Sequence, residues 1–167
     1  MLEIMEPNLA LVVCGTALGE RSAERAEFYA GEGNKFWSTL AAVGLTDRQL
    51  VPSEYRRLLE FGIGLTDLVQ DQAGVDATIA FERSDSLRLR DSIERYQPRI
   101  LCFNGKRAAK EFFGAKSVTY GFQEAQIRRT EIFVAPSTSA MANASWDEAI
   151  WHRLAERVRQ YRGAASR

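Results

Sequence analysis

The side chains best suited to chemistry are gathered in a few short stretches. Phe28-Tyr29-Ala30-Gly31-Glu32-Gly33-Asn34-Lys35-Phe36-Trp37 sets an aromatic ring and an amide side chain close together, at what reads as a helix entrance. Tyr29 is followed by small residues, so its ring is expected to serve as a platform for a planar heterocycle, a contact worth about 1–3 kcal/mol when a nucleobase stacks on an aromatic side chain. Asn34 carries an amide that suits either a polarised ligand or the capping of the helix that follows. Phe36 and Trp37 are expected to pack in the core. Upstream, Cys14-Gly15-Thr16-Ala17-Leu18-Gly19 is a small-residue turn whose backbone amides could lie close to a ligand. A nucleotide-cofactor loop would want a third glycine with a helix directly after it, and neither is evident, so a dinucleotide fingerprint is set aside. Asn104-Gly105-Lys106-Arg107 combines helix-start amides with two cations, a seat for phosphate, or else a turn glycine with an asparagine fixing a strand end.

The elements that must position these residues follow from hydrophobic patterning. Leu9–Cys14, Ile100–Phe103 and Ile132–Ala135, with a weaker run Leu65–Val69, have the length and composition of strands buried on both faces. Helical spacing links Phe36, Trp37, Leu40 and Val43, then Tyr55, Leu58 and Leu59, then Leu89, Ile93 and Tyr96 ahead of Pro98. A last helix is expected from a Ser145–Glu148 capping box, with Trp146, Ile150, Leu154, Val158 and Tyr161 on one face and an end at Gly163 before a short polar tail to Arg167. Alternation of strand and helix predicts an α/β fold with a parallel sheet covered on both faces. Ligands of such sheets sit beyond the carboxyl ends of the strands, which here means the segments after Cys14, Val69, Asn104 and Pro136.

Composition narrows the function classes. With 167 residues, 46% of them hydrophobic, the chain is expected to form a single domain, residues 1–167, around one core. Lys plus Arg balance Asp plus Glu at 22 each, so no global basic field is present and any nucleic-acid contact must be local. Between Arg99 and Arg129 cations outnumber anions, the alternative to a phosphate-facing surface being a solvated face. Two cysteines in apolar runs cannot ligate an iron–sulfur cluster, and with one histidine, His152, no spacing reads as a zinc site, so no metal or cofactor is expected. The first residues, Met1-Leu-Glu-Ile-Met-Glu-Pro7, lack the basic start of a secretory signal, and no run is long enough to span a bilayer; a cytoplasmic protein without membrane contact is expected.

Taken in order, Gly15-Thr-Ala-Leu-Gly19, Tyr29-Ala30, Asn34-Lys-Phe-Trp37, Phe103-Asn-Gly-Lys106 and Pro136-Ser-Thr-Ser-Ala-Met-Ala-Asn143 with Ala144-Ser-Trp146 make the chain resemble the uracil-DNA glycosylase superfamily. It is most similar to the mismatch-specific uracil and the hypoxanthine (deoxyinosine) branches. The resemblance implies a three-layer sandwich with a central four-stranded parallel sheet flanked by helices. It also implies a monomeric, cofactor-free, monofunctional enzyme that flips uracil, hypoxanthine or xanthine out of DNA and hydrolyses the N-glycosidic bond. The stacking aromatic of the family falls on Tyr29. Backbone amides near Thr16, Ala17 and Leu18 would hold the base, and Ser139, Ala140, Met141 and Asn143 fall in the loop that enters the minor groove, with Met141 as the wedge. Lys106 and Arg107 are the expected backbone contacts.

The resemblance also marks a departure. Where the family keeps an Asp or Asn to orient the attacking water, this chain has Ala17. Asn34 stands where the hypoxanthine branch keeps a catalytic asparagine and is the expected replacement, unless it only caps a helix. Ser137 occupies the place of a His or Asn that faces the base carbonyl, or caps its turn. Asp67 occupies the place of an Asn that reads the base edge. It would accept a base N–H, activate the water, or simply bond to a loop amide. A catalytically idle damaged-base-binding module is the alternative to an enzyme.

Overall fold

The computed structural model describes residues 2–165; Met1 and the end of the expected polar tail, at 166–167, lie outside the described residues. Five strands form one sheet in the order β2-β1-β3-β5-β4: β1 (Leu11–Gly15), β2 (Ile63–Asp67), β3 (Ile100–Asn104), β4 (Gly121–Ile127) and β5 (Thr130–Ala135). The helices are α1 (Glu20–Arg25), α2 (Phe36–Ala42), α3 (Arg83–Tyr96), α4 (Lys106–Phe113) and α5 (Glu148–Ala165), with a 3-10 helix at Pro52–Phe61 in place of the expected α-helical turn around Tyr55.

The expected four-stranded parallel sheet needs correcting. β1, β2, β3 and β5 are parallel, but β4 adds an antiparallel edge, so the sheet is mixed. β4 reads Gly-Phe-Gln-Glu-Ala-Gln-Ile, and only its two end residues are buried. It therefore lacks the continuous apolar run that reveals a central strand. Its turn, Arg128-Arg129, carries no Asn-Gly or Asp-Gly signal although Arg128 takes φ 52°, and a register shift between Phe122 and Gln126 interrupts the pairing. α5 is corrected at both ends. It runs past Gly163 to Ala165, and Asp147 rather than Ser145 supplies its cap, accepting the Ala149 amide at 3.0 Å.

Period-two alternation sends side chains to two cores. Leu11, Val13, Ile63, Leu65, Ile100, Cys102, Phe133 and Ala135 face the layer of α2, α5 and the Pro52–Phe61 helix, where Phe28, Phe36, Trp37, Leu58 and Trp151 pack. Val12, Cys14, Leu101, Phe103, Ile132 and Val134 face α3 and α4, with Leu89, Ile93 and Phe112. Both cysteines are free and buried, one in each core, as expected of small hydrophobes. Continuing the first series by one pleat places Gly15, Asp67 and Asn104 on the same face at the carboxyl edge of the sheet. Chain order makes the crossovers reverse beside β1 and β3, the position at which open sheets of this kind form a ligand crevice.

Candidate base-binding site

Three strand ends form the floor of that crevice. Gly15 pairs with Asp67 in register, Cys14 with Phe103, and Asn104 with Ala135, so Asp67, Gly15 and Asn104 lie side by side. Gly15 is needed because a Cβ there would stand 2.7 Å from Asp67 Oδ1 and 3.3 Å from the Tyr29 hydroxyl. Tyr29 itself adopts φ 52°, a left-handed conformation that costs a non-glycine residue about 1–2 kcal/mol and turns the chain sharply before α2. Its ring lies against Phe36, centroids 4.0 Å apart and planes at 28°, and its hydroxyl is buried with no hydrogen-bond partner among the described residues. Burial, then the charge of Asp67, pushes that hydroxyl well above the usual tyrosine range, with the Asn104 amide opposing.

Asp67 is 5% exposed. Burial drives its carboxyl up from 3.8 to about 7, Arg88 drawing it down and Glu3 reinforcing the rise. Arg88 spends its guanidinium on backbone, donating to the Asp67 carbonyl at 2.7 Å and the Leu68 carbonyl at 3.3 Å. Glu3 Oε1 stands 3.8 Å from Arg88 and accepts hydrogen bonds from Thr66 Oγ1 and, at 3.0 Å, from Gln70 Nε2. This pair behind β2 was not singled out by sequence reasoning, because nothing in the spacing of residues 3 and 88 reveals that they meet.

The wall of the crevice is the turn after β1. Backbone bonds from Leu68 to Gly15, Val69 to Thr16 and Gly74 to Leu18 zip this turn to the segment following β2. Thr16 Oγ1 donates to Asp76 Oδ1 at 2.5 Å, and Ala17 packs partly buried against the second core. The methyl of Ala17 offers no polar group.

The two recognised stretches are in direct contact. Lys35 N donates to the Thr138 carbonyl at 2.9 Å, Lys35 Nζ bonds Asn143 Oδ1 and lies 5.0 Å over the Trp146 ring, and a Cβ on Gly33 would be 3.0 Å from Ala140 Cβ. Asn34 is half-buried beside them. Its Oδ1 accepts the Phe36 amide, the first of α2, at 2.9 Å, from one residue ahead of the helix N-cap Lys35. Indole N–H groups anchor both stretches from below, Trp37 to the Phe28 carbonyl at 3.1 Å and Trp151 to the Pro136 carbonyl at 3.0 Å.

Asn104 joins floor to loop. Its Nδ2 donates to Thr138 Oγ1 at 2.9 Å and its Oδ1 accepts the Thr138 amide at 3.0 Å, a two-point clamp with both residues buried. Of the two roles expected for the Asn104-Gly105 pair, fixing the strand end is the one the side chain performs. Gly105, at φ 109°, lets Ser137 approach to 3.1 Å of where a Cβ would be. Ser137 Oγ accepts the Ser139 amide at 3.2 Å and Ser139 Oγ accepts that of Met141, again at 3.2 Å, so both hydroxyls cap successive turns. Beyond them the 3-10 helix Ala140–Ser145 stands at the surface, with Met141 81% exposed. Lys106 and Arg107 open α4 but are engaged with their own chain. Lys106 Nζ lies 4.3 Å over Tyr120; Arg107 pairs with Glu111 at 3.1 Å and covers Phe81.

Among the described residues no three His, Cys, Asp or Glu side chains gather to hold a metal ion, and no helix is long and apolar enough to cross a membrane. What remains is a polar-floored crevice with an aromatic wall and an apolar side chain projecting from its rim. Residues 3–155 match the family model of the uracil DNA glycosylase superfamily, which takes in every strand of the sheet, the crevice and the rim loop. The chain belongs to the uracil DNA glycosylase superfamily.

Proposed function

We propose that this chain removes uracil, and also hypoxanthine or xanthine, from DNA by hydrolysing the N-glycosidic bond. Superfamily membership supports a DNA glycosylase role in general. The observation that carries the finer reading is the contact between the Tyr29–Trp37 stretch and the Pro136–Asn143 loop, made through Lys35, Thr138 and Asn143. It joins the stretch that carries Tyr29 and Asn34 to the loop that carries the exposed Met141.

A base cannot react while stacked in the duplex, so it must be turned out. Met141 would fill the gap it leaves, offsetting a few kcal/mol of lost stacking. The extruded base would lie on Tyr29 with its edge toward Asp67 and Ser137 and its sugar toward Asn34. The C1′–N bond breaks with both electrons leaving on the base, and the cation-like sugar takes up water. A strong general base is therefore not required, and an amide that places the water suffices. The backbone amides of Thr16, Ala17 and Leu18 are the proposed donors to the base. Lys106 and Arg107 remain the proposed phosphate contacts, exchanging ring and carboxylate partners for DNA. Monomeric action in the cytoplasm completes the proposal.

One observation favours a second reading. Ala17 brings no polar group to the place of the family's water-orienting residue, and Asn34 already spends its oxygen on the Phe36 amide. A damaged-base binder without turnover would look the same. Incubation with oligonucleotides carrying uracil or hypoxanthine, followed by alkaline cleavage of abasic sites, separates the two. Strand scission supports the glycosylase; retention of the oligonucleotide without scission supports the binder.

A further inference from the structure

The carboxyl group of Asp67 stands in an unusual setting. Among the described residues no side chain or backbone amide donates a hydrogen bond to it, and it is almost fully buried. The nearest cation, Arg88 of α3, lies behind β2, committed to the carbonyls of Asp67 and Leu68 and faced by Glu3 of the N-terminal segment. In front, Asp67 Oδ1 and the Tyr29 hydroxyl, which is buried and without a hydrogen-bond partner among the described residues, flank the same point above Gly15. The Cys14 thiol on β1 also feels the charge of Asp67, and burial first of all raises it and keeps it protonated. An ionised carboxylate here finds no compensating donor among the described residues, whereas a neutral carboxyl presents one donor and one acceptor side by side.

That pattern is the complement of a lactam edge. The carboxyl C=O accepts the ring N–H, and its O–H donates to the adjacent carbonyl oxygen. Uracil, hypoxanthine and xanthine all present this edge. A carboxylate would satisfy the N–H but set a negative charge against the carbonyl oxygen. The mismatch would worsen as the C1′–N bond breaks and its electron pair moves onto the base.

We propose that Asp67 works as a neutral acid, holding the lactam edge of the base by two hydrogen bonds and stabilising its departing negative charge through the O–H it donates. The proton stays on Asp67 throughout. Water adds through oxygen to C1′ and releases its own proton to solvent. The elevation of the carboxyl to about 7 by burial agrees with this and sets where the activity should fade. A buried carboxylic acid kept protonated to donate a hydrogen bond is a known catalytic device.

The inference rests on the glycosylase reading, and its test separates the two. Single-turnover excision of uracil and of hypoxanthine is measured from about pH 5.5 to about pH 8.5 for the wild type, Asp67→Asn and Asp67→Ala, with circular dichroism as the check on folding. The wild-type rate should fall above about pH 7, approaching tenfold per unit. Asp67→Asn, whose amide offers the same donor and acceptor without charge, should show a flat profile and exceed Asp67→Ala by about tenfold, the worth of one well-placed hydrogen bond. A wild-type rate that climbs through this range, or an Asp67→Asn as slow as Asp67→Ala, overturns the neutral-acid role while leaving the glycosylase standing. If no variant excises either base, the proposed activity fails, and binding of free hypoxanthine reads the inference instead. Affinity that weakens above about pH 7 in the wild type but not in Asp67→Asn supports it, and affinity independent of pH overturns it.

Discussion

The floor of the crevice and its rim are built by opposite means. Asp67, Gly15 and Asn104 are the last residues of three parallel strands, fixed by ladder pairing and by the alternation that fills the core beneath them. The rim loop has no ladder: Ser137 and Ser139 cap successive turns, and Met141 is left in solvent. The Asn104–Thr138 clamp couples the two, and Lys35 ties the rim to the Tyr29–Trp37 stretch. A rigid floor suits recognition of one base edge; a lightly held rim suits insertion into many sequences. Breaking the floor should therefore affect every substrate alike, and breaking the rim should matter only where a duplex has to be opened.

The largest effect is expected in the Tyr29–Trp37 stretch that joins the rim. Asn34→Ala should lower single-turnover excision by about a hundredfold or more, on single- and double-stranded substrates equally, on the scale of losing one transition-state hydrogen bond. Near-normal rates would take Asn34 out of the mechanism and leave it as the acceptor of the first α2 amide. At the rim, Met141→Ala should cost about tenfold on duplex substrates, a fraction of the unstacking energy, and much less on single strands. Equal loss on both would contradict the division of labour.

How much of this division was legible in the sequence depended on how local each signal was. The parallel strands showed as apolar runs, and Phe36, Trp37 and the α5 face as helical spacing, because burial on a regular element imposes a period. β4 escaped, since an edge strand with a solvated face and a bulge imposes none. The weak run around Leu65 was placed two residues late, which hid that Asp67 ends a strand rather than lying inside one. Tyr29, Asn34 and Ser137 were found by type and order along the chain. The partners that fix the site, Thr138 to Asn104 and Glu3 with Arg88 to Asp67, come from distant parts of the sequence and carry no periodic mark.

Cutting the coupling between floor and rim sharpens the comparison further. Asn104→Ala leaves the buried Thr138 amide and hydroxyl without their partner and should cost about 2 kcal/mol. In a chain of this size that is about 4–8 °C in Tm. Its excision defect should follow the Met141→Ala pattern, greater on duplex than on single strands, because the loop rather than the floor is released.

The last effect is on stability alone. The folded carboxyl of Asp67 titrates near 7 and the unfolded one near 3.8, so the stability of the neutral buried form is fully present below the lower value and is lost as pH rises to the upper one. The Tm advantage of Asp67→Asn over wild type should thus grow between about pH 4 and about pH 7 and level off above it. An advantage independent of pH would mean that the floor does not penalise the charge.

The account turns on an extruded base lying against Tyr29 with its edge over the sheet. The most direct measurement is a crystal structure with a uracil-containing duplex, captured with Asn34→Ala to slow turnover. The account predicts the base on the Tyr29 ring, its N–H and carbonyl within hydrogen-bond reach of Asp67, and Met141 in the vacated stack. A base bound away from Tyr29, or an edge turned from Asp67 with Met141 still in solvent, would contradict it.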